Sequence, residues 1–184
     1  MEYEVRYYFS NEKLNDIVSK LKNIKELQMN EKSYEKTTQF DHPDEKNSFY
    51  SKEIDGRFRV RVTKSDSNSK CKLSWKRRIK STLSTDINKE EEVELTIKFE
   101  EYEKLMYIII NVLKMKSIES YERYRTIFTN EEVEISVDEY PFGIALEIEN
   151  KSNDKDPEII VRKWDKLLGL NLKDAYRLSW DDKY

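Results

Sequence analysis

Charged and apolar positions alternate with a period of two along several stretches of this chain. Glu2, Glu4 and Arg6 recur at every second position, the last two flanking Val5, while Arg57, Arg59 and Arg61 flank Phe58 and Val60. The same alternation sets Glu92 and Glu94 around Val93, Glu134 and Asp138 around Ile135 and Val137, and Glu147 and Glu149 around Ile148. Successive strand side chains point to opposite faces, so each stretch predicts a strand with one charged and one apolar face. Any half-buried strand shows such alternation. The sign of the charge adds to it, because some strands offer only carboxylates and others only guanidinium groups. In a closed sheet these faces line one cavity with acids and bases together. Such a cavity suits a metal ion and a polyphosphate.

The pattern predicts strands over residues 2–9, 34–40, 49–54, 57–63, 70–78, 90–97, 117–128, 132–139 and 144–150. A helix is expected from Ser10 or Asn11, either of which can cap it, to about Ile24, with Leu14, Ile17, Val18 and Leu21 on one face. A second helix spans residues 99–115, where Tyr102, Leu105, Met106, Ile109, Ile110 and Leu113 keep helical spacing. A third runs over 157–168, with Pro157 in the first turn and Gly169 at the stop. Asp55-Gly56 reads as a hairpin signal, and residues 80–89 read as a mobile loop. The fold class is therefore α+β, one domain over 1–184, built as a closed antiparallel β-barrel of about eight strands with flanking helices. The apolar strand faces point outward and the helices cover part of them.

Composition narrows the function. Charged residues make up 39% of the chain, yet 34 basic residues nearly cancel 37 acidic ones. That balance argues against a simple nucleic-acid glove, which is basic throughout. Cys71 is the lone cysteine, so no internal disulfide forms. His42 is the lone histidine, which argues against a zinc site of the usual nitrogen and sulfur type. The acidic start has no signal-peptide core, and the apolar run 106–113 is too short to span a bilayer. A cytoplasmic protein with no membrane partner is expected.

Clustered carboxylates repel one another and resist burial, and a divalent cation removes that cost. Glu2 with Glu4 and Glu147 with Glu149 are same-face pairs, and oxygen-only ligands favour Mg²⁺ or Mn²⁺. One such pair is commonplace on a solvated strand; two, with Glu134, Asp138, Glu92 and Glu94 besides, favour a site. Arg59 with Arg61, Lys72 with Lys76, and Arg123 with Arg125 each set two cations on one strand face. Guanidinium forks match phosphate oxygens, and a chain of phosphates needs cations spaced along it. A plainer reading pairs these cations with the acidic strands, and the two readings are compatible. Arg77, Arg78 and Lys80 read as rim charges.

These residues resemble, in order, the motifs of the CYTH family, the triphosphate tunnel metalloenzymes. Glu2-Tyr3-Glu4-Val5-Arg6 is similar to the family's opening Glu-x-Glu-x-Lys, and the stretch from Thr38 to Asp44 to its tyrosine–aspartate loop. Arg57-Phe58-Arg59-Val60-Arg61 resembles its Arg-x-Arg strand, Leu73-Ser74-Trp75-Lys76 its strand ending in lysine, and Glu92-Val93-Glu94 its Glu-x-Glu strand. Arg123-Tyr124-Arg125 matches its later basic strand. Asp138, Gly143, Glu147 and Glu149 stand as in its closing hairpin. Two departures stand out: Arg6 replaces the usual lysine and cannot donate a proton near neutral pH, and Glu90-Glu91-Glu92 lacks the arginine that often precedes Glu-x-Glu.

The resemblance implies a charged tunnel that binds a triphosphate with Mg²⁺ or Mn²⁺. Glu2, Glu4, Glu147 and Glu149 then hold the metal, with Asp138 assisting. Arg57, Arg59, Arg61, Lys72, Lys76, Arg123 and Arg125 bind phosphates. Glu2, Glu4, Arg6, Glu92 and Glu94 are the catalytic candidates, with Glu92 and Glu94 either positioning water or stiffening the basic wall through ion pairs. The implied activity is hydrolysis of inorganic triphosphate, a nucleoside triphosphate, thiamine triphosphate or an RNA 5′-triphosphate. The alternatives are a class IV adenylyl cyclase and a non-catalytic triphosphate-binding module. A cyclase needs a base pocket, for which Trp75, Tyr124 or Phe142 can stack, although barrel packing explains each. A homodimer is compatible with the chain, and Tyr176 and Trp180 are expected to dock the C-terminal tail.

Overall fold

The computed structural model describes residues 1–79, 87–153 and 155–176. Its strands are β1 (Glu2–Phe9), β2 (Gln28–Met29), β3 (Ser33–Asp41), β4 (Gly56–Lys64), β5 (Ser69–Arg78), β6 (Asn88–Lys98), β7 (Lys116–Thr129), β8 (Val133–Tyr140) and β9 (Gly143–Asn150). The α-helices are α1 (Leu14–Lys22), α2 (Tyr102–Tyr107) and α3 (Pro157–Leu167). Hydrogen bonding orders the strands β7-β3-β4-β5-β6-β1-β9-β8 and returns from β8 to β7. This is the closed eight-stranded antiparallel barrel the alternation predicts, with the short β2 added alongside β7.

Two compact units divide the chain. The first comprises Met1–Lys32, Ile79–Lys89 and Tyr124–Tyr184; the second comprises Ser33–Arg78 and Glu90–Arg123. In the first, Val5, Tyr7, Val133, Ile135, Val137, Ile144, Leu146 and Ile148 form the apolar strand faces. Ile160, Val161 and Trp164 of α3 pack against them, as do Leu14, Ile17, Val18 and Leu21 of the α1 face. Asp156 caps α3 by accepting from the Glu158 N–H at 2.9 Å, and Gly169 ends the helix at φ 63°. Neither Ser10 nor Asn11 caps α1 with its side chain: a 3₁₀ turn, Asn11–Lys13, enters that helix instead.

Glu132 holds the α3 end of this unit together. One of its oxygens accepts from Trp164 Nε1 at 2.9 Å and from Lys163; the other accepts from Lys155 at 3.1 Å. The hydrogen bond from Lys163 is the main cause that brings the Glu132 carboxyl down from 4.5 to about 2, against the opposing cost of burial, with Lys155 and Trp164 adding to it. A depressed carboxylate contributes stability that is complete above pH 4.5 and is lost as pH falls toward 2. Glu132→Gln is therefore expected to lower the urea midpoint at neutral pH and to lose most of that difference by about pH 3. Equal wild-type and variant midpoints at neutral pH would remove this role.

The second unit departs further from the predicted elements. Residues 49–54 form turns rather than a strand, because Asp41 holds this segment through the Ser48 hydroxyl at 2.8 Å and the Phe49 N–H at 2.8 Å. Asp55-Gly56 accordingly leads from a turn into β4 and joins no hairpin, with Asp55 at φ 49°. The helix over 99–115 is three segments: a 3₁₀ turn, α2, and a π-helical turn over Ile108–Val112 that the Leu113 N–H closes onto the Ile108 carbonyl at 2.9 Å. That wider turn rotates the stripe. Tyr102, Leu105, Met106 and Ile109 pack beside Phe40, Val60 and Cys71, whereas Ile110 and Leu113 are exposed. Of the expected loop at 80–89, residues 80–86 lie outside the described residues, and Asn88 and Lys89 belong to β6.

Gly56 is required by a close approach. A Cβ there would lie 2.3 Å from Cη2 of Trp75, whose ring is held edge-on by Phe49 at 5.2 Å. Gly56→Ala is expected to destabilise the protein by about 1–3 kcal/mol through overpacking. A urea midpoint unchanged by the substitution would contradict the packing described.

Candidate active site

In the first unit the strand register assembles the acids. Glu4 of β1 pairs with Glu149 of β9, which pairs in turn with Glu134 of β8; one step along, Arg6 pairs with Glu147 and Glu147 with Ser136. Equal parity puts all these side chains on one face, opposite the apolar core. One carboxylate oxygen from each of Glu2, Glu4 and Glu149 lies within 4.8 Å of the other two. Glu4 is only 2% exposed. Three carboxylates so close, one of them buried, carry a repulsion that a cation would relieve, and their all-oxygen donor set fits Mg²⁺ or Mn²⁺.

Glu147 and Asp138 belong to a different arrangement. Arg6 Nε donates to Glu147 at 2.6 Å and its Nη2 to Glu4 at 3.0 Å. Arg125 grips fully buried Asp138 with two parallel bonds of 2.5 and 2.6 Å, and reaches Glu147 at 3.1 Å. Of the five carboxylates read from the sequence as metal ligands, the structure thus brings Glu2, Glu4 and Glu149 together and ties Asp138 and Glu147 to guanidinium groups. Burial opposes the charge on Arg6, but Glu147 and Glu4 outweigh it and hold the guanidinium well above its usual range. Arg6 is a fixed cation. The tail docks here: the Tyr176 N–H donates to the Arg6 carbonyl at 2.8 Å, and its ring meets Tyr8 edge-on at 5.4 Å. Trp180 lies outside the described residues.

The second unit carries the cations. Register aligns Thr37 with Arg61 and Lys72, and Gln39 with Arg59 and Ser74. Buried Glu35, which the strand alternation does not single out, organises this wall: Arg123 donates to it twice, at 2.9 and 2.7 Å, Thr63 donates at 3.1 Å, and Arg61 stands 3.8 Å away. Arg59 meets Ser74 and Glu92 at 3.4 Å each, and Lys72 pairs with Glu94. Glu92 and Glu94 thus make ion pairs within the basic wall. Lys76 pairs with Glu90 at 2.7 Å, and Arg57 lies 3.9 Å from Asp55. Arg78 joins this network through Asp55 and Glu90, and Arg77 pairs with Glu91; Lys80 lies outside the described residues. Trp75 packs against Phe49, Tyr140 stacks on Phe142, and Lys32 sits over exposed Tyr124, so each proposed base-stacking ring has a protein contact.

No family model matches the chain, and no curated protein matches it. Solved structures do. The chain is similar to the PH1819 protein from Pyrococcus horikoshii OT3, with a TM-score of 0.71 and 22% identity over 100% of this chain and 97% of that one. A candidate adenylate cyclase from Vibrio parahaemolyticus superposes with a TM-score of 0.69 and 17% identity over 98% and 95% of the two chains. A Hippeastrum protein, a candidate adenylyl cyclase described as having a dominant triphosphatase activity, gives 0.62 and 18% over 92% and 89%. Identities at this level show a shared fold, which is consistent with the CYTH family that the ordered motifs resemble. No helix among the described residues is long and apolar enough to cross a membrane.

Proposed function

We propose that this protein is a CYTH-type enzyme that hydrolyses a triphosphate with the help of a divalent metal. The observation that carries the reading is the approach of Glu2, Glu4 and Glu149 to within 4.8 Å of one another. A module that only binds polyphosphate gains nothing from three carboxylates crowded together, because they repel its ligand. The cationic wall and the reported triphosphatase activity of the Hippeastrum protein support the same reading.

Glu2, Glu4 and Glu149 would hold Mg²⁺ or Mn²⁺, while Asp138 and Glu147 are held by Arg125 and Arg6. The metal would supply Lewis-acid polarisation of a phosphoryl oxygen. The phosphate-binding candidates are Arg57, Arg59, Arg61, Lys72, Lys76 and Arg123 of the second unit and Arg125 of the first. Their fixed positive charge stabilises the charge spread over the transferring phosphoryl oxygens. A carboxylate orients the water and accepts its proton as the water oxygen attacks the terminal phosphorus. The bridging P–O bond breaks, its electron pair leaves with the departing phosphate chain, and orthophosphate is released. Arg6 acts by charge and position alone.

A second reading is supported by the Vibrio neighbour: a class IV adenylyl cyclase, in which the substrate's own 3′-hydroxyl replaces water and pyrophosphate leaves. A substrate panel separates the two. The purified protein would be offered inorganic triphosphate, ATP, thiamine triphosphate and triphosphorylated RNA with Mg²⁺ or Mn²⁺. Orthophosphate released from at least one of them, and stopped by a chelator, is the expected result. Cyclic AMP with pyrophosphate from ATP would make it a cyclase, and chelator-resistant binding without any product would make it a sensor.

A further inference from the structure

We propose that Tyr121 is a further substrate-contacting residue, whose hydroxyl donates a hydrogen bond to a phosphoryl oxygen of the bound triphosphate; this rests on the function proposed above. The geometry comes from the pairing of β7 with β3. Arg123 binds Glu35, Ser120 lies 3.5 Å from Thr38, and Gln39 donates to Glu119 at 2.7 Å. These contacts step along two antiparallel strands and set Tyr121 opposite Thr37. Thr37 in turn pairs with Arg61 across β3 and β4, and Arg59 lies one same-face step away beside Gln39. Tyr121 also shares the face of Arg123 on its own strand. Its phenol therefore stands among the three arginines assigned to phosphate binding.

The surroundings separate this placement from ordinary packing. Tyr121 joins neither hydrophobic cluster of the described residues. The groups around it are Arg59, Arg61 and Lys72 of β4 and β5, Glu35, Thr37 and Gln39 of β3, and Glu119 and Arg123 of β7. Glu35 is engaged by Arg123 and Thr63, and Glu119 accepts from Gln39. Burial opposes ionisation of the phenol, but Arg59, Arg123 and Arg61 outweigh it and hold the group below the usual tyrosine range. A triphosphate on those arginines offsets their charge and returns the phenol to its neutral, donating form. Substrate binding then takes up a proton wherever the free protein holds phenolate.

Calorimetry with inorganic triphosphate, run at mildly alkaline pH in buffers of different ionisation enthalpy, reads that proton directly. Wild-type protein is expected to take it up, and Tyr121→Phe to bind roughly tenfold more weakly with the uptake gone. The phenolate absorbance of the free variant should also lack its lowest titrating step. Wild-type binding without proton uptake, or a variant that matches wild type in affinity and uptake, overturns the assignment of Tyr121 and leaves the proposed function standing. Failure of the wild type to bind inorganic triphosphate, thiamine triphosphate or ATP overturns both.

Discussion

Glu4→Gln is expected to reduce kcat/KM for the preferred triphosphate by roughly 10²–10³-fold, the size of effect seen when one fixed charge-stabilising group is lost. The side chain keeps its shape but gives up its anionic oxygen at the centre of the Glu2–Glu4–Glu149 cluster. Affinity for the metal falls with it, so the variant should need more Mn²⁺ for its residual rate. The fold should survive. Arg6 loses the charge of its partner at 3.0 Å but keeps Glu147 at 2.6 Å, and repulsion within the cluster drops. A thermal midpoint equal to or above that of the wild type, beside the lost activity, would distinguish a chemical role from a structural one. An active Glu4→Gln enzyme with an unchanged metal requirement would remove the cluster from the mechanism.

Arg125→Leu should have the largest effect on stability, about 3–5 kcal/mol by chemical denaturation, because it strips a fully buried carboxylate of its bidentate partner. Asp138 is 0% exposed. Glu147 suffers less, since Arg6 still holds it. A second change tests the cause. With Asp138→Leu added, no buried charge is left without its partner, and most of the stability should return. Activity should stay lost, because the phosphate-gripping guanidinium is gone. Full activity in the double variant would show that Arg125 serves the fold alone.

The barrel was legible because its signal is local and repeated. Parity on β1, β4, β8 and β9 is clear: most charged residues fall on one face and most apolar residues on the other, so a slip by one residue would exchange the two faces. The Glu2, Glu4 and Glu149 cluster could be foreseen for the same reason, since both Glu-x-Glu pairs lie on strands whose facing is fixed. β3 hid its chemistry. Its inward residues Glu35, Thr37 and Gln39 alternate with Tyr34, Lys36 and Thr38, which are scarcely more apolar, so Glu35 did not stand out.

Other features depend on contacts that no window of sequence contains. The turns over residues 49–54 are held by Asp41, eight positions before Phe49, and override the β propensity of Phe49 and Tyr50. The π-helical turn after α2 moves Ile110 and Leu113 out of a stripe that looks regular at helical spacing. Glu147 and Asp138 read as metal ligands by residue type, yet they lie within reach of Arg6 and Arg125, a pairing set by strand register between distant segments.

The most direct test of the account is the release of orthophosphate from inorganic triphosphate, ATP, thiamine triphosphate or triphosphorylated RNA by the purified protein, with Mg²⁺ or Mn²⁺ and with a chelator. Orthophosphate released from at least one of them, ceasing with the chelator and resuming when metal is restored, is the result predicted. Release that continues undiminished in the chelator would contradict the role given to Glu2, Glu4 and Glu149.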